Sequence, residues 1–287
     1  MMISKPVAAV AVIGGSGLYA MQELKGIREI KVKTPFGNPS DAVICGTLSG
    51  IPVAFLPRHG RKHAILPGEI NHRANMWALK SLGVKTIISV SAVGSLKAEL
   101  APAHFVFPDQ FMDETKGRVS TFFGRGIVGH VPMAEPFCMA LSEIMHKESV
   151  KLGIKSHFGG TYVCMEGPGF STKAESYFHR KMGFSIIGMT VATEAKLARE
   201  AGFHYSPVSL VTDYDCWKEG EEVDQEKVTA TLKKNIENIR RLLVKVIPMT
   251  GKAGCHNHCP DFIKASVLTH KENFPPKLYK ALKPLIG

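Results

Sequence analysis

No stretch of this chain approaches the ~18 uninterrupted apolar residues that a membrane helix needs, so no membrane span is expected. The apolar run Val7–Ile13 passes directly into Gly14-Gly15-Ser16-Gly17 with no small-residue cleavage pattern. It is therefore read as something other than a signal peptide, and a cytoplasmic protein is expected. Cysteine is scarce: 6 in 287 residues, too few for a disulfide scaffold. Cys45, Cys138, Cys164 and Cys216 stand alone in the sequence and read as buried reduced thiols. Cys255-His256-Asn257-His258-Cys259 can hold a metal or close a small disulfide loop. Ligands packed so closely in sequence rarely close a tetrahedron by themselves, and cytosolic disulfides are rare. An untethered tail is the expectation there, and no metal is assigned.

Acidic residues are also in short supply, with Asp plus Glu at 25 against 36 Lys plus Arg, for a net charge of +11. The basic residues are dispersed, as in Lys31/Lys33, Lys80/Lys85, Lys147/Lys151 and Lys233/Lys234. Without zinc-finger spacing, an RNP motif or basic–aromatic alternation, a nucleic-acid partner is not expected. A solvated surface that favours small anions is the simpler reading. Repeats and Gly/Pro/Ser-rich linkers are lacking before residue 248, while 45% hydrophobic and 21% charged residues exclude a disordered chain.

What is present is alternation. Strands are expected at Val7–Ile13, Ala42–Leu48, Ile51–Leu56, Val84–Val93, Thr161–Met165, Ser185–Thr190 and Val208–Thr212. Between them, Ile70, Ala74, Trp77, Ala78 and Leu82 fall at helical spacing and Gly83 closes that helix. Further helices are expected over 136–152, after the Thr172/Glu175 capping box, and over 194–201. Val228, Leu232, Ile236, Ile239, Leu243 and Val246 mark a long amphipathic helix stopped by Pro248. The pattern predicts an α/β fold, one domain over 7–248 with a central mixed β-sheet flanked by helices. Residues 249–287 are an appendage that ends in a short docked helix at Tyr279, Leu282 and Leu285.

Chemistry-bearing residues gather where strands end. Gly14-Gly15-Ser16-Gly17 lets backbone N–H groups approach an anion, and Ser16 adds a hydroxyl. Arg58-His59-Gly60-Arg61-Lys62-His63 follows a strand directly, which suits an oxyanion site or a solvated loop. Ser89–Ser95 and Gly188-Met189-Thr190 lie at carboxyl ends of strands, where α/β sheets gather ligands. Asp213 and Asp215 stand at i and i+2, so an extended segment would point both carboxylates the same way. Their repulsion raises the pKa of the better buried one. A protonated Asp then donates while its neighbour accepts, which matches the N7 and N6 edge of adenine.

Seven motifs in order make a specific resemblance: Gly14-Gly15-Ser16-Gly17, Arg58-His59-Gly60-Arg61, Asn71 through Leu79, Met133 through Phe137, Glu166-Gly167-Pro168, Gly188-Met189-Thr190 and Thr212 through Trp217. From about Ala8 to Pro248 the chain resembles the trimeric purine nucleoside phosphorylase family, in its methylthioadenosine-cleaving branch. The resemblance implies phosphate held by Ser16, Arg58, His59, Ser91 and Thr190 with the Ala92 backbone. It implies Met189 beneath the ribose, Phe170 and Ser171 flanking the base, and Asp213 and Asp215 on its N7 and N6 edge. His130 would reach into a neighbouring subunit's 5′ pocket, which Val228 would line. The sequence departs from the family pattern at Gly169 (usually Arg), Thr193 (usually Pro) and His72 (usually Tyr), and Gln225 falls near a position that is often small and apolar in the 5′ pocket.

The expected activity is phosphorolysis of 5′-methylthioadenosine by a homo-oligomer, expected to be a trimer, with inorganic phosphate as co-substrate and no cofactor. A broad purine nucleoside phosphorylase is the rival: the carboxylate pair speaks against 6-oxopurines, whereas Gln225 could bond a 5′-hydroxyl. A nucleoside-binding protein without catalysis would lack phosphate-dependent adenine release.

Overall fold

Val10 and Val12 fall in one buried apolar cluster while Ala11 and Ile13 fall in another. That split is the alternation of side chains across a strand buried on both faces. It recurs along the chain and sets up three layers. A computed structural model describes residues 6–220, 225–252, 255 and 259–286. Its elements are β1 (Val10–Gly14), β2 (Lys25–Ile30), β3 (Val43–Leu48), β4 (Ile51–Pro57), α1 (His72–Ser81), β5 (Thr86–Ser95), β6 (Phe105–Phe107), β7 (Gln110–Asp113), α2 (Met139–Lys151), β8 (Ser156–Phe158), β9 (Thr161–Cys164), α3 (Lys173–Lys181), β10 (Ile186–Gly188), α4 (Val191–Glu200), β11 (His204–Asp213), α5 (Gln225–Val246), α6 (Phe262–Ser266) and α7 (Pro276–Ile286).

The described strands form one mixed, 11-stranded sheet. Its first face is covered by α1, α4 and α7 through Met76, Leu79, Leu197, Leu282 and Leu285. The other face is covered by α2 and α5 through Leu141, Met145, Ile239, Leu242 and Leu243. Full burial of each such side chain is worth about 1.5–3 kcal/mol.

The site is opened by β5. Along one edge β5 pairs with β11 in parallel from Thr86 to Gly94. Along the other it pairs with β1 only as far as Ser89, and with β10 only from Gly94 onward. Between those two partners Val90–Val93 have no strand on that side, and a cavity of about 710 Å³ opens there. Gly14 ends β1 at this gap. A Cβ there would lie 2.4 Å from Leu18 Cδ1 and 3.1 Å from the Val90 carbonyl, so the turn needs glycine for close approach.

The expected strands and helices are present, with shifted ends. The helix expected from 136 begins at Met139, because Cys138 is extended (φ −80°, ψ 92°) and its amide donates to the Tyr205 carbonyl. The helix expected from 194 begins at Val191. The sequence reading missed β2, an exposed edge strand with polar residues on both faces, and β6, β7 and β8, which are too short to display a period. The capping box is present: Glu175 N donates to Thr172 Oγ1 at 3.2 Å and Thr172 N donates to Glu175 Oε2 at 2.8 Å. In the appendage, α7 docks as expected, with Leu282 and Leu285 in the core and Trp77 Nε1 donating to the Ala281 carbonyl at 2.8 Å. Among the described residues no helix is long and apolar enough to cross a membrane.

Candidate active site

The end of β4 delivers Arg58, and its backbone N donates to the Gly14 carbonyl at 2.9 Å. The side chain is only 3% exposed. Arg58 Nε donates to Glu194 Oε1 at 2.5 Å and Nη2 to Oε2 at 3.2 Å. Nη2 also donates to Ser89 Oγ at 2.8 Å, and Nη1 to the Val90 carbonyl at 3.0 Å. Glu194 accepts in addition from Ser89 Oγ at 2.7 Å and from the Tyr205 hydroxyl at 3.0 Å. Burial would raise the Glu194 carboxyl, but the Arg58 charge and the Arg58 and Ser89 hydrogen bonds outweigh it and hold the carboxyl low. Of the five N–H donors on Arg58, one on Nη1 has no acceptor among the described residues. The residue expected to hold phosphate thus also joins β4, β5 and α4.

Around it lie hydroxyls with unused capacity. Ser91 Oγ on β5 and Thr190 Oγ1 are buried, line the cavity and find no hydrogen-bond partner among the described residues. Thr190 is the N-cap of α4, where unpaired amides and the helix dipole favour an anion, and its side chain makes no capping bond. His59 lines the same end, and its Nδ1 donates to the Ile65 carbonyl at 2.8 Å. Burial pushes the imidazole pKa down, with the Arg58 charge acting the same way against the Ile65 bond. His59 is therefore held neutral with Nε2 as an acceptor. Ala92, Gly15 and Gly17 complete this end, and the Ser16 side chain lies outside the described residues. Arg240 Nε on α5, which the sequence reading passed over, donates to the Gly17 carbonyl at 3.0 Å and fixes the glycine turn.

At the opposite end both Asp213 and Asp215 line the cavity, but not as i and i+2 of an extended segment. Asp215 lies in the left-handed region at φ +52°, so the chain turns between the two. Its amide donates to Asp213 Oδ1 at 2.8 Å, and Thr212 Oγ1 donates to Asp213 Oδ2 at 2.7 Å. Asp215 is the less exposed residue, and its Oδ2 is buried with no partner. The carboxyl of Asp213 is raised, by burial first and the Asp215 charge in addition, against the Thr212 and Asp215 bonds. The following loop is pinned by Trp217, whose Nε1 donates to the Ser95 carbonyl at 2.7 Å beneath the Arg180 guanidinium.

Met189 lines the middle, and Phe170, 78% exposed, stands at the rim. Val228, Leu232 and Ile236 from α5 form an apolar wall with Leu18. The side chain of Gln225 lies outside the described residues. Ser171 is not among the residues that line the cavity; its carbonyl accepts from Cys216 Sγ at 3.3 Å, and Cys216 lines it instead. His130 is exposed and does not line this cavity either. Arg118 also escaped the sequence reading. Its Nε donates to Glu166 Oε1 at 3.1 Å and its Nη1 to the Met189 carbonyl at 2.5 Å. It braces the loop on which Gly169 replaces the family's usual arginine. Neither Arg118 nor Arg240 belongs to a local motif, so only their positive charge could have marked them.

Cys138, taken as an isolated thiol, does not stand alone: its Sγ lies 3.8 Å from Cys255 Sγ and 3.7 Å from His204 Nδ1. Cys255 and Cys259 are held against the domain, which corrects the untethered-tail expectation; His256 and His258 lie outside the described residues.

Residues 9–248 match the family model of the phosphorylase superfamily. The S-methyl-5′-thioadenosine phosphorylase of Koribacter versatilis is 49% identical over 281 residues, which cover 98% of this chain and 96% of that protein. The enzyme of the same name from Hyperthermus butylicus is 52% identical over 242 residues, covering 84% and 88%. A crystal structure of methylthioadenosine phosphorylase from an antarctic soil metagenomic library superposes with a TM-score of 0.95 at 44% identity, covering 99% of this chain and 100% of that one. Methylthioadenosine phosphorylase from Schistosoma mansoni in complex with adenine superposes with a TM-score of 0.85 at 36% identity, covering 91% and 99%. With its cavity at the interrupted edge of β5 and this extent of likeness, the chain belongs to the phosphorylase superfamily.

Proposed function

We propose that this protein catalyses phosphorolysis of 5′-methylthioadenosine to adenine and 5-methylthioribose 1-phosphate, a salvage reaction. One observation carries the reading. A single cavity holds buried hydroxyls on β5 and at the N-terminus of α4 that have no partner among the described residues, a carboxyl biased toward protonation, and an apolar wall.

Phosphate dianion lies between Thr190, Ser91, the Ala92 backbone and the remaining Arg58 donor, with the Ser16 hydroxyl at the glycine turn. Its one protonated oxygen donates to His59 Nε2, which leaves the deprotonated oxygens for attack. Met189 supports the ribose, Phe170 and the loop carrying Ser171 close over the base, and Val228 with its α5 neighbours receives the 5′-methylthio group. The C1′–N9 bond breaks and its electron pair moves onto the purine, while Asp213 transfers a proton to N7. A carboxyl oxygen of Asp215 accepts from the 6-amino group. A phosphate oxygen bonds to C1′, and the proton left on the new ester returns through solvent to Asp213. General-acid assistance of this kind is worth ~10²–10⁴-fold. The chemistry as drawn uses phosphate as its second substrate and no cofactor.

A homotrimer is part of the proposal. His130 is exposed and stands away from its own chain's cavity, as a residue completing a neighbour's 5′ pocket would. The setting proposed is the cytoplasm.

The deciding experiment is phosphate-dependent base release from 5′-methylthioadenosine, adenosine and inosine measured side by side. Turnover on the first, weaker turnover on the second and none on inosine is expected. Equal rates on inosine would replace this reading by a broad purine nucleoside phosphorylase, and no phosphate-dependent release at all would remove the catalytic reading.

A further inference from the structure

Far from the cavity, three segments distant in sequence bring soft ligands to one point. Cys138 stands at the N-cap position of α2, His204 opens β11, and Cys255 and Cys259 come from the segment between α5 and α6. Their ligand atoms all lie within 4.8 Å of one another. We propose that Cys138, His204, Cys255 and Cys259 form a structural zinc site that fastens the C-terminal segment to the domain.

The geometry suits a tetrahedron. Zinc–sulfur bonds of about 2.3 Å and zinc–nitrogen bonds of about 2.0–2.1 Å give sulfur–sulfur edges of about 3.8 Å and sulfur–nitrogen edges of about 3.6 Å. The Cys138–Cys255 edge is 3.8 Å and the Cys138–His204 edge 3.7 Å; Cys255–Cys259 is shorter at 3.3 Å. None of these separations is a disulfide bond of about 2.05 Å.

Charge and burial agree. Three thiolates and one neutral imidazole on a dication leave one net negative charge, and the guanidinium of Arg199, only 4% exposed, lies 3.9 Å from Cys259 Sγ. Cys138 and Cys259 are buried in the cluster beneath α2 and α5, a dry surround for a closed four-ligand site. Thiolate-rich tetrahedral sets select zinc over harder cations. Binding displaces the protons of the three thiols, so the site loads by exchange and needs no oxidant.

The position makes the site structural. His204 is at the opposite end of β11 from Asp213, about 30 Å along an extended strand at ~3.3 Å per residue. Pro260 packs over the turn between α4 and β11, where a Cβ on Gly202 would lie 3.3 Å from the Pro260 carbonyl. Zinc would therefore tie this crossing segment, and α6 and α7 beyond it, to the sheet.

The test begins with the intact protein, made in zinc-supplemented medium and purified under reducing conditions without a metal-affinity step. Elemental analysis is expected to find about one zinc per chain, falling below about one-tenth in Cys259→Ser and in His204→Ala, as expected when one ligand of four is lost. Replacement of zinc by cobalt should produce the visible ligand-field bands of tetrahedral cobalt and a thiolate charge-transfer band. Chelation should lower Tm while adenine release at low temperature is retained. Wild-type protein that takes up no zinc or cobalt would overturn the proposal, as would a Cys255–Cys259 disulfide that persists under reducing conditions. The wild-type metal content and cobalt spectrum decide the matter even if the variants do not fold.

Discussion

Asp213 is placed so that its ionised form is the strained one. Burial and the neighbouring Asp215 charge raise its carboxyl, so the folded protein binds this proton more tightly than the unfolded chain does. Stability from that proton is present below the ordinary carboxylate pKa and is lost as pH rises through the raised value. Asp213→Asn should therefore raise Tm at pH 7–8 and leave it nearly unchanged near pH 4. The same substitution should lower kcat/KM on 5′-methylthioadenosine by ~10²–10⁴-fold, the range of a lost general acid. In the wild type that rate should fall as pH rises through the Asp213 pKa. Wild-type rates in Asp213→Asn would show that the acid is elsewhere. Arg58 is a different case. Arg58→Ala strands a buried Glu194 carboxylate, so a loss of about 3–5 kcal/mol in stability is expected beside a raised KM for phosphate. Pairing Arg58→Met with Glu194→Gln should recover most of the stability in a urea titration but not the phosphate KM. Recovery of both would make Arg58 purely a structural keystone.

Among the elements, α5 does two jobs with one helix. Ile239, Leu242, Leu243 and Val246 in its later turns pack into the core, whereas Val228, Leu232 and Ile236 face the cavity. Spacing of four residues keeps those three on one side. They form an apolar receptor that suits a methylthio group better than a hydroxyl. Leu232→Ser should reduce the preference for 5′-methylthioadenosine over adenosine by roughly 10-fold or more, the scale on which small changes in a hydrophobic pocket act. The ratio of kcat/KM values for the two nucleosides checks this, and an unchanged ratio would move the 5′ subsite elsewhere. The stripe and the Thr172/Glu175 box were legible in sequence because both depend on residues within a few positions of each other. Strands such as β6 were not, because a three-residue strand is specified by its neighbours in the sheet.

For the whole molecule, the proposed trimer has a direct consequence. His130 has no place in its own chain's cavity, so His130→Ala should raise KM for 5′-methylthioadenosine and leave KM for phosphate unchanged. Light scattering at micromolar concentration should report about three chain masses, as closed homo-oligomers bury matched surfaces. A monomer with full activity would remove His130 from the site.

What the sequence determined alone was local or ordered: the strand ends with their glycines and hydroxyls, the caps, the amphipathic stripe, and the succession of motifs that marks the family. Tertiary structure decided whatever depends on strand order. Arg58 and Glu194 meet across 136 residues only because β4, β5 and α4 converge, and their pairing makes the residue proposed to hold phosphate a keystone of the fold as well. Asp215 turns back onto Asp213 through a left-handed residue that no two-residue periodicity foretells. Cys138, His204, Cys255 and Cys259 are harmless singly or as a tail in sequence. They become one cluster because β11 begins where α2 begins and Cys255 and Cys259 lie against that point. Side-chain chemistry is carried by the residue, but distance is set by the sheet.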